Sequence, residues 1–297
     1  MQQVCRIFLR DLIALFEPSA NFSLPSLQDA SALVVVMAFF LAWILCWLPL
    51  AVISAIAIKW KPFQPLQPEQ KLPLLIPLYL LAPLTLWGMS WLTKISFSEY
   101  GFSGNLATFY SLTLGLALGV LGIAVVFSCQ IWLGWCAFQE TNLKQLLPIL
   151  LPILLVALLV GGVEELIFRG FLLTELAKDS SVWIAAIAGS LIFALLHLIW
   201  EQQETIPQLP GLWLMGMVLV LARFTDRGSI GLAWGLHAGW VWAIACLDTA
   251  QLTGPTGHVS EWVTGKNKKP LAGVAGVVCL LLTGGILWLM FGYNFFL

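Results

Sequence analysis

Charge is what this chain has least of. Only 10% of its 297 residues are Asp, Glu, Lys or Arg, against about 25% in a soluble globular domain. A chain so poor in charge cannot cover its own surface in water, so a soluble domain is excluded. The net charge of −1 supplies no basic patch, and nothing suggests a nucleic-acid partner. Cysteine is present but uninformative. Cys5, Cys46, Cys129, Cys136, Cys246 and Cys279 include no pair at CxxC spacing, and five of them lie in apolar runs. They read as small buried residues rather than a disulfide framework or a metal site. There is no HExxH, so two zinc-binding histidines on one helical face are not available. Internal repeats and a separate soluble domain are also lacking.

Apolar residues make up 60% of the chain. A spanning helix needs about 20 of them in succession. Reading between charges gives eight candidate spans, at 31–58, 72–92, 110–138, 145–170, 180–200, 209–224, 229–247 and 271–295. The expected fold is all-α: a polytopic integral membrane bundle, multi-pass and surrounded by lipid. Residues 1–30 read as an amino-terminal interfacial segment. Val4, Ile7, Phe8, Leu12, Leu15 and Phe16 fall near helical spacing there, and Arg6, Arg10 and Asp11 interrupt the run. That pattern suits an amphipathic helix on the membrane surface, not a cleavable signal peptide. Residues 31–138 hold the first spans, 145–247 a core rich in unusual polar residues, and 248–297 a polar loop and the last span. Pro49, Pro77, Pro83, Pro148 and Pro152 predict kinks or shifted helix starts. Trp43, Trp47, Trp60, Trp87, Trp91, Trp132, Trp135, Trp183, Trp200 and Trp213 lie mostly near span ends, as interfacial aromatic belts do.

The informative polar residues begin with Glu164-Glu165, which follow an uncharged run from Gln145 to Val163. One charged side chain at the centre of a span costs about 2.5–3.5 kcal/mol even on the gentlest scale. Adjacent acids at a helix end also occur simply as boundary markers. Glu165 and Arg169 are four apart and share a helical face, in the favourable acid-first order. Glu164 is turned about 100° from Glu165, which suits one structural acid and one reactive acid. His197 lies near the end of the fifth expected span and His237 inside the seventh. A lone histidine on an apolar helix is usually a packed residue with one hydrogen bond. Two of them with a glutamate pair can act as general base, polarise a carbonyl or ligate a metal. His258 lies in a polar, glycine-rich loop and reads as a surface residue.

Glu164-Glu165-x-x-x-Arg169, Phe193-x-x-x-His197 and the intramembrane His237, in that order, resemble the CPBP family of CAAX-processing, bacteriocin-processing and Abi proteins. The resemblance covers roughly residues 145–247. It implies a glutamate-dependent intramembrane endopeptidase that needs no cofactor or metal and acts on a peptide or membrane-protein substrate. By position it implies that Glu164 is the general base, that His197 helps hold the attacking water, and that His237 contributes to the oxyanion hole. Glu165 and Arg169 would form a supporting ion pair, and Phe193 opens the second motif.

The chain departs from the family pattern at Val241. The third motif often has asparagine there, one turn after the histidine, to complete the oxyanion hole. Valine donates nothing, and the nearest polar candidates are backbone groups and the indoles of Trp240 and Trp242. Loss of one such donor costs about 100- to 1000-fold in rate. Val241 therefore favours an alternative reading, a weak or inactive family member that scaffolds or chaperones another membrane protein. A third reading uses the same residues in a zinc hydrolase or a proton-coupled transporter. Chelator-insensitive cleavage would exclude the first of these, and the transporter lacks the repeated halves common in that class.

Overall fold

Nine helices carry the architecture in the computed structural model, which describes residues 27–61, 67–199 and 202–296. They are α1 (Ala32–Ala57), α2 (Pro68–Thr93), α3 (Leu106–Trp132), α4 (Leu143–Glu165), α5 (Leu173–Asp179), α6 (Val182–Leu196), α7 (Leu209–Thr225), α8 (Gly231–Thr249) and α9 (Val274–Phe296). The amphipathic helix expected near the amino terminus, and Trp200, lie outside the described residues.

Among the described residues, seven segments are long and apolar enough to cross a bilayer: Ala32–Ala57, Gln70–Thr93, Leu106–Trp132, Glu140–Asp179, Val182–Ile199, Gln202–Thr225 and Val274–Phe291. The protein is a multi-pass helical membrane bundle. Eight spans were expected, and the difference is at 229–247. That stretch does form α8, but Gly231, Gly235, Gly239, His237 and Asp248 dilute its apolar content. Residues from Gly231 to Trp240 are mostly buried in protein, so α8 has less need of a lipid-compatible surface. The fourth span is longer than expected. Between α4 and α5, residues Leu166–Leu172 form a π-helical segment, and the three run on to Asp179.

Glycine decides where α8 sits. It runs parallel to α3, with Gly115 facing Leu232 to Leu236 and Gly119 facing Leu236 to Trp240. A Cβ at Gly235 would lie 2.0 Å from the Leu112 carbonyl oxygen, and one at Gly239 would lie 2.6 Å from that of Leu116. The two backbones are in direct contact. In lipid, such packing and not burial from water holds helices together. On its other side α8 meets α4, where a Cβ at Gly161 would press on Ala238 and one at Gly162 on the Trp234 ring. The small residues just before Glu164 thus let α8 approach the carboxylates.

Polar side chains tie the bundle at its ends. Asp179 accepts from the Ala32 backbone N–H at 2.6 Å and so caps α1 from the end of α5. Asp226 accepts from the Leu232 N–H at 3.1 Å and from the Ser111 hydroxyl at 2.7 Å, joining the first turn of α8 to α3. Asn105 caps α3 through the Thr108 N–H. Two short strands add a clip that the all-α expectation did not include. β1 (Cys136–Phe138) pairs antiparallel with β2 (Thr253–Pro255). They follow α3 and α8, whose carboxyl ends lie together because the helices are parallel.

Two tryptophans expected at the membrane interface do something else. The indole N–H of Trp43 donates to the Leu78 carbonyl at 2.9 Å, and that of Trp47 to the Leu74 carbonyl at 3.0 Å. They pin α1 to α2. Trp87, Trp91 and Trp132 do lie exposed on the bundle surface.

Candidate active site

The carboxylates sit where α4 gives way to the π-helical segment. A wider turn of this kind is rare and recurs at functional sites. It keeps Arg169 against Glu165, with Nη1 donating to Oε1 at 2.8 Å. Both side chains are almost wholly buried. Arg223, on α7, holds the segment from outside. Its Nη1 donates to the carbonyls of Arg169 and Gly170, its Nη2 to the Thr174 hydroxyl at 3.1 Å, and its Nε to the Gly228 carbonyl at 3.0 Å. A buried guanidinium thus takes up carbonyls of the irregular turn. On the same side Gly170 lies against the Tyr100 backbone, and the buried Tyr100 hydroxyl donates to Glu175 at 3.2 Å. Burial pushes the Tyr100 phenol well above its usual range, so it remains a donor.

His237 reaches in from α8 between the two acids. Its Nδ1 is 2.8 Å from Glu165 Oε1, and its Nε2 is 3.6 Å from Glu164 Oε2. The first is a hydrogen bond and the second is too long for one. Because a carboxylate only accepts, Nδ1 carries the proton shared with Glu165. Glu164 is separately held by the Tyr79 hydroxyl of α2, which donates to Oε1. Glu164 Oε2 is buried and has no hydrogen-bond partner among the described residues.

His197 caps the end of α6, its Nδ1 2.8 Å from the Phe193 carbonyl oxygen. A carbonyl also only accepts, so Nδ1 donates and Nε2 is left free. Phe193 is the hub of the site. The Arg169 guanidinium lies 4.3 Å from its ring centroid, His197 packs edge-on at 4.7 Å, and the His237 ring lies 6.1 Å away. The Phe193-x-x-x-His197 spacing thus supplies a cation–π platform and an imidazole from one helical turn.

Two cavities meet this cluster. The first, about 280 Å³, is bordered by Glu164, Tyr79 and His197 with Phe40, Trp43 and Trp47. The second, about 340 Å³, is bordered by His197, His237 and Val241 with Gln208, Asp248 and Lys269. His197 belongs to both. Val241 occupies the wall one turn beyond His237, as its spacing requires. The Trp242 indole is not available to the site, since it donates to the Leu150 carbonyl at 2.9 Å. Among the described residues, no cluster of three or more His, Cys, Asp or Glu side chains is arranged to hold a metal ion.

Residues 144–243 match the family model of the type II CAAX prenyl endopeptidase Rce1-like proteins. The chain carries an Rce1-like domain of the CPBP family. No curated protein and no solved structure matches it. The Rce1-like domain contains Glu164, Glu165, Arg169, Phe193, His197, His237 and Val241, and also Arg223. Tyr79 lies outside it.

Three contributors were not read from the sequence. Gly231-x-x-x-Gly235-x-x-x-Gly239 beside Gly115-x-x-x-Gly119 is a small-residue pattern that signals close helix packing. Arg223, a cation in a mostly apolar span, carries its own signal. Tyr79 carries none.

Proposed function

We propose that this protein is an intramembrane endopeptidase in which Glu164 activates the attacking water. The observation that carries the reading is Glu164, a residue that borders a cavity and whose buried Oε2 has no hydrogen-bond partner among the described residues and lies 3.6 Å from an imidazole nitrogen. A carboxylate is kept in such a place for work or paired off. In the proposed reaction, Oε2 takes a proton from water as the water oxygen attacks the peptide carbonyl carbon. His197 Nε2 accepts a hydrogen bond from the other O–H of the water, which stays on the oxygen, and so holds the nucleophile. The oxyanion receives a hydrogen bond from Nε2–H of His237 in its imidazolium form, steadied at Nδ1 by Glu165. On collapse, the proton on Glu164 passes to the leaving amine. One water is consumed, and one carboxyl and one amine are formed. Donors fixed in advance on a developing oxyanion are each worth about 2.7–4 kcal/mol in acyl chemistry.

The family's name points to prenylated CAAX tails as the first substrates to try. Wild type reconstituted in proteoliposomes is expected to cleave a farnesylated CAAX peptide, or precursors that accumulate in membranes of a Glu164→Ala strain. Chelator should leave that cleavage unchanged. Cleavage surviving Glu164→Gln at full rate would remove this glutamate from the mechanism. Val241 keeps a second reading in view, an inactive member acting as a scaffold or chaperone. It requires a cellular role that Glu164→Gln leaves intact.

A further inference from the structure

We infer that Tyr79, on a helix outside the Rce1-like domain, is a positioning residue that selects which oxygen of Glu164 acts as the base. The inference rests on the reading of Glu164 as base and adds the element that aims it. A free carboxylate has two equivalent oxygens, and rotation about its last side-chain torsion is soft. Here the equivalence is broken. The Tyr79 hydroxyl donates to Oε1, while Oε2 has no hydrogen-bond partner among the described residues and lies 3.6 Å from Nε2 of His237. Tyr79 also borders the cavity that Glu164 and His197 share, so its ring forms part of the wall against which a reacting group would sit.

The placement of Tyr79 is itself supported. The carbonyl of Leu78, its neighbour in sequence, accepts the Trp43 indole N–H, and that of Leu74 accepts the Trp47 indole N–H. Two bonds one helical turn apart fix the register of α1 on α2. Both indoles border the same cavity. Pro83, four residues after Tyr79, has no N–H to give the Tyr79 carbonyl, so the helix interior lacks one backbone bond at this position. The groups facing Glu164 are then Tyr79 from α2, His237 from α8, His197 at the end of α6, and Glu165 and Arg169 from its own and the following turn. Tyr79 is the hydrogen-bond donor to Glu164 among the described residues; the rest act through Glu165 or across a gap.

The test compares wild type, Tyr79→Phe, and proteins carrying 4-aminophenylalanine or 4-methoxyphenylalanine in place of Tyr79, all in proteoliposomes. Phenylalanine and 4-methoxyphenylalanine keep the ring and remove the donor. 4-Aminophenylalanine restores an N–H donor at the same reach. Tyr79→Phe is expected to lower kcat on a farnesylated CAAX peptide about 10- to 100-fold, the size of one hydrogen bond to a charged group, with KM within about twofold. 4-Aminophenylalanine should recover most of the loss and 4-methoxyphenylalanine none. Infrared difference spectra supply a readout that needs no turnover. The Glu164 carboxylate band, identified by its absence in Glu164→Gln, should shift in Tyr79→Phe and return with 4-aminophenylalanine. A kcat unchanged in Tyr79→Phe, equal rescue by the donor and non-donor analogues, or a Glu164 band indifferent to Tyr79 would each overturn the inference. If wild type cleaves no peptide but the band responds as described, the endopeptidase reading falls while the contact that aims Glu164 stands.

Discussion

Nδ1 of His237 lies 2.8 Å from Oε1 of Glu165, so an imidazole from one helix is oriented by a carboxylate from another. That bond fixes which ring nitrogen faces Glu164. Glu165 is also the acceptor for Arg169 at 2.8 Å, so a single oxygen serves both the cation and the histidine.

Glu165→Gln tests the orienting role. The amide can offer His237 an N–H in place of an acceptor and carries no charge to steady the imidazolium. In a serine protease triad, the equivalent loss of an orienting carboxylate costs about 10⁴ in kcat with geometry intact. On the proposed mechanism, Glu165→Gln lowers kcat by about 10³ or more with little change in KM. Steady-state kinetics on the wild-type substrate check this, and a loss confined to KM would assign Glu165 to substrate binding instead.

Arg169→Leu tests the buried pair. Its removal leaves Glu165 without its cation and the Phe193 ring without its guanidinium. Breaking a buried pair from one side costs about 3–5 kcal/mol, although replacing both partners with apolar residues can be nearly neutral. Because His237 still partners Glu165, a loss near the lower end is expected. A thermal-shift series in detergent should show Arg169→Leu clearly destabilised and the double change with Glu165→Leu less so. Equal stability of wild type and Arg169→Leu would mean the pair is not buried in the membrane-embedded protein.

Most of the bundle was legible because lipid permits few solutions. Apolar runs between charges located α1 to α4, α6, α7 and α9, and the residues too polar for their surroundings, Glu164, Glu165, His197 and His237, gathered near one another. What was not legible depends on tertiary contact. The π-helical turn leaves no mark, since Glu165 and Arg169 meet in either an α or a π turn. α8 read as an ordinary span because a window between charges does not register that its glycines face protein. Tyr79 reaches Glu164 across 85 positions of sequence, and no local pattern announces that. Trp43 and Trp47 looked like interfacial anchors because tryptophan is enriched at membrane interfaces, yet both lie well inside α1 and bond to α2.

Gly235 offers a test of the fold apart from the chemistry. A Cβ there would meet the Leu112 carbonyl oxygen at 2.0 Å and the Leu116 nitrogen at 2.6 Å. These are backbone atoms that cannot rotate away. Overpacking a tight interface costs about 1–3 kcal/mol and occasionally more. Gly235→Ala should lower the melting temperature in detergent, and Gly235→Leu should abolish recovery of monodisperse protein. Gly254, with nothing within 4 Å of an added Cβ, is the control: Gly254→Ala should behave like wild type.

Val241→Asn asks whether the site lacks an oxyanion donor. Position 241 lies one turn from His237 and borders the cavity that His197 and His237 share. The Trp242 indole is committed to the Leu150 carbonyl, and an added Cβ at Gly122 would lie 4.0 Å from the Trp240 indole nitrogen, which places that nitrogen against α3. The Trp242 indole therefore does not replace an asparagine amide at position 241, while Trp240 borders the same cavity as His237. If oxyanion stabilisation limits the rate, Val241→Asn should raise cleavage, approaching about 100-fold where the new amide reaches the oxyanion at about 2.7–3.1 Å. The gain should appear in kcat and vanish in the double variant with Glu164→Gln, since a donor without a base has no tetrahedral intermediate to stabilise. Wild type, Val241→Asn and the double variant belong in one reconstituted assay. A rate unmoved by Val241→Asn in an active enzyme would mean that His237 already suffices. No cleavage by any of the three, with a cellular role that persists in Glu164→Gln, would favour the scaffold.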